Sequence, residues 1–523
     1  MLRTEPYANP AGLFLHDVIL ASCRQFPRKT AIVDPSANRR ISYSEYGEIV
    51  CSLARGFNAA GLRPGEVVAI FLPNSWEFCV AYHAATLAGG IPTLLNPNYR
   101  EREVRYQLEN SGAAVLISDG PQLENVSLSG LPALRRVYTT RHSAAGSANF
   151  LDLLRPVTVA LSTPAVPSGR TLAALPYSSG TTGFPKGVML SHFNLVANIF
   201  QLLGPHGTKL GGDDVILCFL PLYHIYGLNV VLNPGLILGA TIVLLPRFHV
   251  PQLLGLLVSE NVTTMPTVPP ALNALAQAAE AGQFPEHHRV RWVKSGAAPL
   301  AAELARRFTS LTGILVCQGY GMTEASPVTH IGYLEPPELY KPESIGQPLV
   351  QTECRVLDVD DTEVVCGEPG ELVMRGPQFM LGYWKDAKAS AAVLRDGWYW
   401  SGDIVRRDAG DFYYVLDRRK EMIKYKGFSV APAEVEAVLL EHPAVRDCGV
   451  VARRDAEAGE IPCAFVVLRE GQCADDAMKQ SLCGFVAERL TSYKQPREIH
   501  FVDAVPRTPS GKVLRRELRK ALA

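Results

Sequence analysis

Residues 66–120 read EVVAIFLPNSWEFCVAYHAATLAGGIPTLLNPNYREREVRYQLENSGAAVLISDG. The run 66–74 is a buried-strand pattern that stops at a turn signal. Residues 75–90 have helical spacing and a Gly stop. Residues 91–99 are again strand-like, 100–112 make a charged helix ending in Gly, and 113–120 form another strand. A β-α-β-α-β rhythm of this kind predicts a parallel sheet with helices on its faces.

The rhythm returns downstream. Residues 213–224 and 240–248 are strand candidates, 250–262 a helix, and 288–300 a strand running into a loop, as in a second copy of the same architecture. The apolar stretch 227–246 carries Asn229, Asn233, Pro234 and several glycines, so it reads as buried α/β core rather than a membrane span. From 350 to 416 the pattern turns short and turn-rich, predicting antiparallel strands. About 100 residues after the charged run 417–421 form a last small α/β unit. The expected fold is α/β: a large N-terminal domain (1–416) of two parallel-type subdomains plus a β-rich one, a hinge (417–420), and a small C-terminal α+β domain (421–523).

Composition narrows the function. The chain has 523 residues, which suggests about three domains, and 51 Lys+Arg against 51 Asp+Glu. A net charge near zero gives no electrostatic case for nucleic acid or anionic lipid. Eleven cysteines are scattered without a CxxC pair, which predicts reduced thiols and a cytoplasmic protein rather than a disulfide framework or a zinc site. The first twelve residues, MLRTEPYANPAG, are not a secretion signal, and the final LRKALA is not a peroxisomal address.

Five segments carry chemistry. In YSSGTTGFPKG (177–187), Ser178, Ser179, Gly180, Thr181, Thr182 and Gly183 can turn several N–H groups toward one point, with Lys186 adding charge. That is an anion nest suited to polyphosphate, and it does not fit the Walker pattern. In CQGYGMTEASP (317–327), Gly319 and Gly321 lack the third glycine of a dinucleotide fingerprint. Tyr320 can stack on a base, Thr323 can bond phosphate and Glu324 can hold Mg2+. Asp403, in DGWYWSGDIV (396–405), can take two ribose hydroxyls. DRRKEMIKYKG (417–427) packs Arg418, Arg419, Lys420, Lys424 and Lys426 into ten positions. Lys512 lies in a Pro/Ser/Gly loop, where a lysine can reach a developing charge.

Taken in this order, the five segments resemble the adenylate-forming superfamily of acyl-CoA synthetases, adenylation domains and firefly-type luciferases, with the nearest likeness to 4-coumarate–CoA ligases. The resemblance covers residues 10 to 520. It implies an acid–CoA ligase that uses ATP, Mg2+ and coenzyme A on a small carboxylic acid, in two steps separated by rotation of the C-terminal domain. The acid attacks the α-phosphate of ATP, and CoA then captures the acyl-adenylate. A carrier-protein arm in place of CoA, a luciferase-like oxygenase, a non-catalytic scaffold and a one-step relative stay open, as does a homodimer.

The resemblance also implies roles. The loop 178–187 holds the β- and γ-phosphates. Glu324 binds Mg2+ and Thr323 lies near the α-phosphate. Tyr320 and the loop Gly296, Ala297, Ala298, Pro299 flank adenine, and Asp403 and Arg418 take the ribose. Lys512 bridges the carboxylate and α-phosphate oxygens, and Lys420 is the hinge. Lys424, Lys426 and Gly427 serve thioester formation. The acid pocket is implied to be lined by Tyr223, His224, Tyr226, Gly227, Lys294, Ala297, Gly321, Ser326, Pro327 and Val328, which suits an aromatic or medium-chain acyl group. PLYHIYG (221–227) offers no acid for an ammonium, which argues against an α-amino acid. There are three departures from the family pattern. Ser429 stands where the hinge segment often has Gln, Val373 replaces Cys in GELVMRG (370–376), and Ala297 stands where many coumarate enzymes have Gly.

Overall fold

The computed structural model describes residues 12–161, 169–178, 185–204, 207–426, 428–455, 457–508 and 511–522. The first sheet runs Ile91–Leu94, Val67–Ile70, Ala113–Ser118, Arg136–Thr139 and Ala148–Asn149 in spatial order, with every pair parallel. Ile91–Leu94, Val67–Ile70 and Ala113–Ser118 are buried along their whole length, as expected of parallel strands covered on both faces. Helix Trp76–Leu87 starts at Ser75, whose hydroxyl accepts from the Phe78 amide at 3.2 Å. Eleven of its twelve residues are buried, which is why its sequence shows no polar stripe.

The second sheet departs from a simple copy. Val215–Cys218 pairs in parallel with Thr241–Leu244, and the next strand is Thr30–Asp34, with Ile32 opposite Ile242. Arg39–Ser42 closes that edge antiparallel. On the other side, bridges through Thr264 link the sheet to Trp292–Ser295 and then to Leu315–Gly321. The N-terminal segment thus completes a sheet formed mainly by residues 200 positions away. Residues 227–246 are buried core, made of a π-helical turn Gly227–Leu232, helix Asn233–Leu238 and strand Thr241–Leu244. Among the described residues no helix is long and apolar enough to cross a membrane.

The turn-rich region folds as expected into an antiparallel sheet of Glu353–Leu357, Gly370–Arg375, Trp398–Arg407, Leu394–Arg395 and Tyr413–Arg418. Its register sets Asp403 opposite Arg418. The C-terminal domain has a sheet of its own, with Gly459–Leu468 between Val445–Asp455 and Glu498–Phe501. Helices Pro432–Glu441 and Asp476–Ala487 help cover a separate core that includes Val435, Leu439, Val450, Val466 and Leu482. Several contacts join this unit to the rest, among them an Arg515–Asp417 ion pair at 3.9 Å. The Ala433 amide donates to Asp417 Oδ2 at 2.8 Å. Gly511 packs so tightly on Pro270 that a Cβ there would lie 2.6 Å from its ring.

Candidate active site

The ends of strands Leu315–Gly321 and Trp398–Arg407 meet at a cleft. There Arg418 Nε lies 2.8 Å from Asp403 Oδ1, and the Tyr320 hydroxyl donates to Asp403 Oδ2 at 2.5 Å. Asp403 is 3% exposed. A carboxylate this deep needs a paired charge and hydrogen bonds, and the opposed register positions supply them. Burial and then Asp403 push the Tyr320 hydroxyl well above its ordinary range, so it stays a donor. The carboxylate retains acceptor capacity beside these two partners.

Glu324 sits on the 3-10 turn Thr323–Ala325 and is nearly buried. The Tyr383 hydroxyl donates to Glu324 Oε1 at 2.8 Å, and Lys186 Nζ lies 5.2 Å from the Tyr383 ring centre and 3.8 Å from Asp386. Tyr383 thus contacts Glu324 through its hydroxyl and Lys186 through its ring, and Asp386 pairs with Lys186. Lys186–Gly187 pairs with Tyr177–Ser178 in a short antiparallel ladder that ties together the two ends of the glycine-rich loop. Ser179, Gly180, Thr181, Thr182 and Gly183 lie outside the described residues, as does Gly427.

Lys512 arrives from the other domain. Its loop is braced by Thr508 N donating to Lys512 O at 2.8 Å and by Arg507, which donates to Gly511 O at 2.7 Å and pairs with Asp447 at 2.6 Å. The residue keeps an exposed flank, but protein crowds its ammonium, and the crowding counts because the ammonium is the group that titrates. Burial, then Arg418, hold it down to about 8, with Lys420 adding to the repulsion and Asp403 and Glu324 opposing it. Lys512 thus lies within electrostatic reach of all four groups. Lys420 is itself lowered, first by partial enclosure and then by Arg418.

Next to this cluster opens a cavity of about 560 Å3, its mouth included. His224, Tyr226, Lys294, Ala297, Gly321, Pro327 and Val328 line it as expected, together with Gly319, Tyr320 and Thr323. Burial and then Lys512 push the His224 ring down to about 4, so it is neutral at physiological pH. Lys294 is 8% exposed. Its ammonium donates to Gly207 O at 3.4 Å and lies 5.4 Å from the Trp292 ring centre, and burial lowers its basicity. Among the described residues no carboxylate pairs with it.

Three pocket expectations need correction. Gly227 faces backbone, since a Cβ there would lie 2.4 Å from Pro221 O. Ser326 is fully buried, with its hydroxyl donating to Gln378 O at 2.8 Å. Tyr223 is half-buried against the main core and does not reach the cavity wall. Leu202, Thr208, Val230, Met322 and Ile331 do line it; apart from Met322, which lies between Gly321 and Thr323, they carry no local signal. Ala298 and Pro299 follow strand Trp292–Ser295 without reaching the cavity. The structure does not gather Lys424 and Lys426 into the cleft. The Lys424 amide donates to Glu460 on strand Gly459–Leu468, and Lys426 pairs with Glu457, in the turn before that strand, at 2.7 Å. Tyr383 escaped sequence reasoning because its partner Glu324 lies 59 residues away.

The chain belongs to the AMP-binding enzyme family, matching that family over residues 19–384 and the AMP-binding enzyme C-terminal domain over 434–512. It is 38% identical to 4-coumarate–CoA ligase 5 of Oryza sativa subsp. japonica, over 100% of this chain and 97% of that protein. It is 36% identical to 4-coumarate–CoA ligase 1 of Arabidopsis thaliana, over 98% and 93%. Among solved structures it resembles an anthranilate CoA ligase in complex with anthranoyl-AMP, with a TM-score of 0.89, 26% identity and 99% of both chains covered. It also resembles o-succinylbenzoate CoA synthetase of Bacillus subtilis in complex with ATP and magnesium ion, with a TM-score of 0.81, 30% identity and 96% and 99% covered.

Proposed function

We propose that this enzyme is an ATP-dependent acid–CoA ligase acting on an aromatic carboxylic acid of the cinnamate type with a hydrogen-bond acceptor at its far end. The observation that carries the reading is the meeting of Lys512 with Asp403, Arg418 and Glu324 beside a mostly apolar cavity whose wall carries Lys294, a buried ammonium that no carboxylate pairs with among the described residues. A carboxylate is a poor electrophile, and exchanging its oxygen for an AMP leaving group corrects that. The acid's oxygen attacks the α-phosphorus and pyrophosphate departs. The CoA thiol then attacks the acyl carbon, releasing AMP.

The residues supply position and charge rather than covalent chemistry. Asp403 and Arg418 hold the ribose, Tyr320 flanks the base, and the loop at 178–187 with Lys186 holds the outer phosphates. Lys512 bridges the attacking carboxylate and the α-phosphate. Glu324, a hard oxygen donor beside Thr323, fits Mg2+, which when bound neutralises phosphate charge. Neutral His224 and the apolar walls seat the acyl group.

We place the N-terminal domain at 1–416, the hinge at 417–420 and the C-terminal domain at 421–523. The family matches leave 385–433 between them, which supports a boundary there. Lys424, Lys426 and Gly427 serve the second step in a different domain arrangement. Eleven free cysteines favour a reducing cytoplasm.

The test incubates the protein with Mg·ATP, CoA and a panel of cinnamates, benzoates, phenylacetate and fatty acids, reading pyrophosphate and thioester separately. Both products from 4-hydroxylated cinnamates support the reading. Pyrophosphate without thioester points to a carrier-protein acceptor or a defective second step, and overturns CoA as acceptor.

A further inference from the structure

The C-terminal domain carries a cluster that the ligase reaction does not use. Cys463 on strand Gly459–Leu468 sits opposite Glu498 on the parallel strand Glu498–Phe501. His500, two residues on, projects from the same face as Glu498 and stacks on Phe465 with ring centres 5.3 Å apart. Glu498 Oε2 lies 3.8 Å from Cys463 Sγ and 3.5 Å from His500 Nε2. One ligand atom from each residue lies within 4.8 Å of the others. Arg453 takes the other carboxylate oxygen, Oε1, at 2.6 Å.

We propose that Cys463, Glu498 and His500 form a binding site for a zinc-class divalent ion, with a fourth position open to solvent. The donor set of thiolate sulfur, imidazole nitrogen and carboxylate oxygen is the one such ions select over Mg2+ or Ca2+. Metal–ligand lengths of about 2.0–2.3 Å place neighbouring donors of a tetrahedron roughly 3.4–3.6 Å apart, close to the two separations observed. Arg453 acts on the oxygen that faces away from the ion, fixing the carboxylate's orientation as outer partners of metal ligands do. Glu498 Oε2 is left to face sulfur and nitrogen.

Binding takes the thiolate of Cys463, whose proton leaves to solvent as the metal–sulfur bond forms.

The test uses the full chain without a histidine tag, stripped with a chelator and titrated with Co2+. The expected result is a thiolate-to-cobalt charge-transfer band that saturates at one ion per chain and is abolished by stoichiometric Zn2+. Cys463→Ser removes the band. His500→Gln, a change at a half-exposed position that leaves folding intact, weakens binding by about tenfold or more. Acyl-CoA formation is unchanged in His500→Gln. Absence of the band in the wild type, its persistence in Cys463→Ser, or wild-type affinity in His500→Gln each overturns the site.

Discussion

The depressed basicity of Lys512 predicts the alkaline limit of adenylation. The working form is the ammonium, because it faces developing negative charge. With the group at about 8, the protonated fraction is about 0.9 at pH 7 and about 0.1 at pH 9, a roughly tenfold fall. An ordinary lysine near 10.4 would stay about 95% charged at pH 9 and give a flat profile. The sign is fixed by the cause: burial and Arg418 disfavour the cation, so activity is present below the folded value and is lost as pH rises through it. The assay is pyrophosphate release at subsaturating ATP, whose kcat/KM reports the free enzyme. Lys512→Arg keeps a cation at every pH tested. Its rate is lower because the fork geometry differs, but its alkaline limb disappears. His224, already neutral down to about 4, adds no acid limb between pH 6 and 8. A wild-type profile flat to pH 9.5, or a variant that keeps the limb, would refute the assignment.

Three further outcomes follow from named contacts. Tyr383→Phe removes the hydroxyl that orients Glu324, a bond to a charged group worth about 1.5–3 kcal/mol; the Mg2+ concentration for half-maximal pyrophosphate release rises by roughly tenfold while saturated kcat changes little. Lys294→Met costs acids with a distal hydroxyl about 1.5 kcal/mol or more in kcat/KM and leaves unsubstituted cinnamate nearly unaffected; equal losses on both would remove Lys294 from recognition. Gly321→Ala puts a Cβ 1.9 Å from Pro327 O, an overlap that backbone shifts relieve only at about 3 kcal/mol or more, so its thermal midpoint drops and the cavity wall moves.

Local pattern revealed much of this molecule. The strands and helices between 66 and 118 are legible because each buried run is short and is bounded by turn residues or a glycine. The antiparallel region is legible because its strands are brief and separated by Asp and Gly turns. What escaped depends on distance along the chain. Nothing near Ile32 announces that it will pair with Ile242, and nothing near Thr208 places it on the wall shared with Lys294. The charged groups of the cleft were readable as a set because each has a fixed place in an ordered series of segments. Tyr383 was not readable, since a tyrosine after a glycine signals nothing until Glu324 is beside it. Gly227 and Ser326 were assigned to the wall by the family resemblance, and their own backbone and hydroxyl partners turn them away from it.

Ala297 has a consequence for how this pocket can change. Its backbone is left-handed, with φ +68°, a conformation that costs an L residue roughly 1–2 kcal/mol and that branched side chains scarcely adopt. The wall at this point has few settings: glycine, alanine, or a short polar side chain such as asparagine. Val328, on strand Val328–Ile331, and Leu202, at the end of helix His192–Leu203, sit on regular backbone that accepts a continuous range of sizes. Selection for a new acid would therefore move in one coarse step at 297 and in fine steps at 202 and 328. A library that varies 202 and 328 on each of the two backgrounds, Gly and Ala at 297, samples both kinds of step.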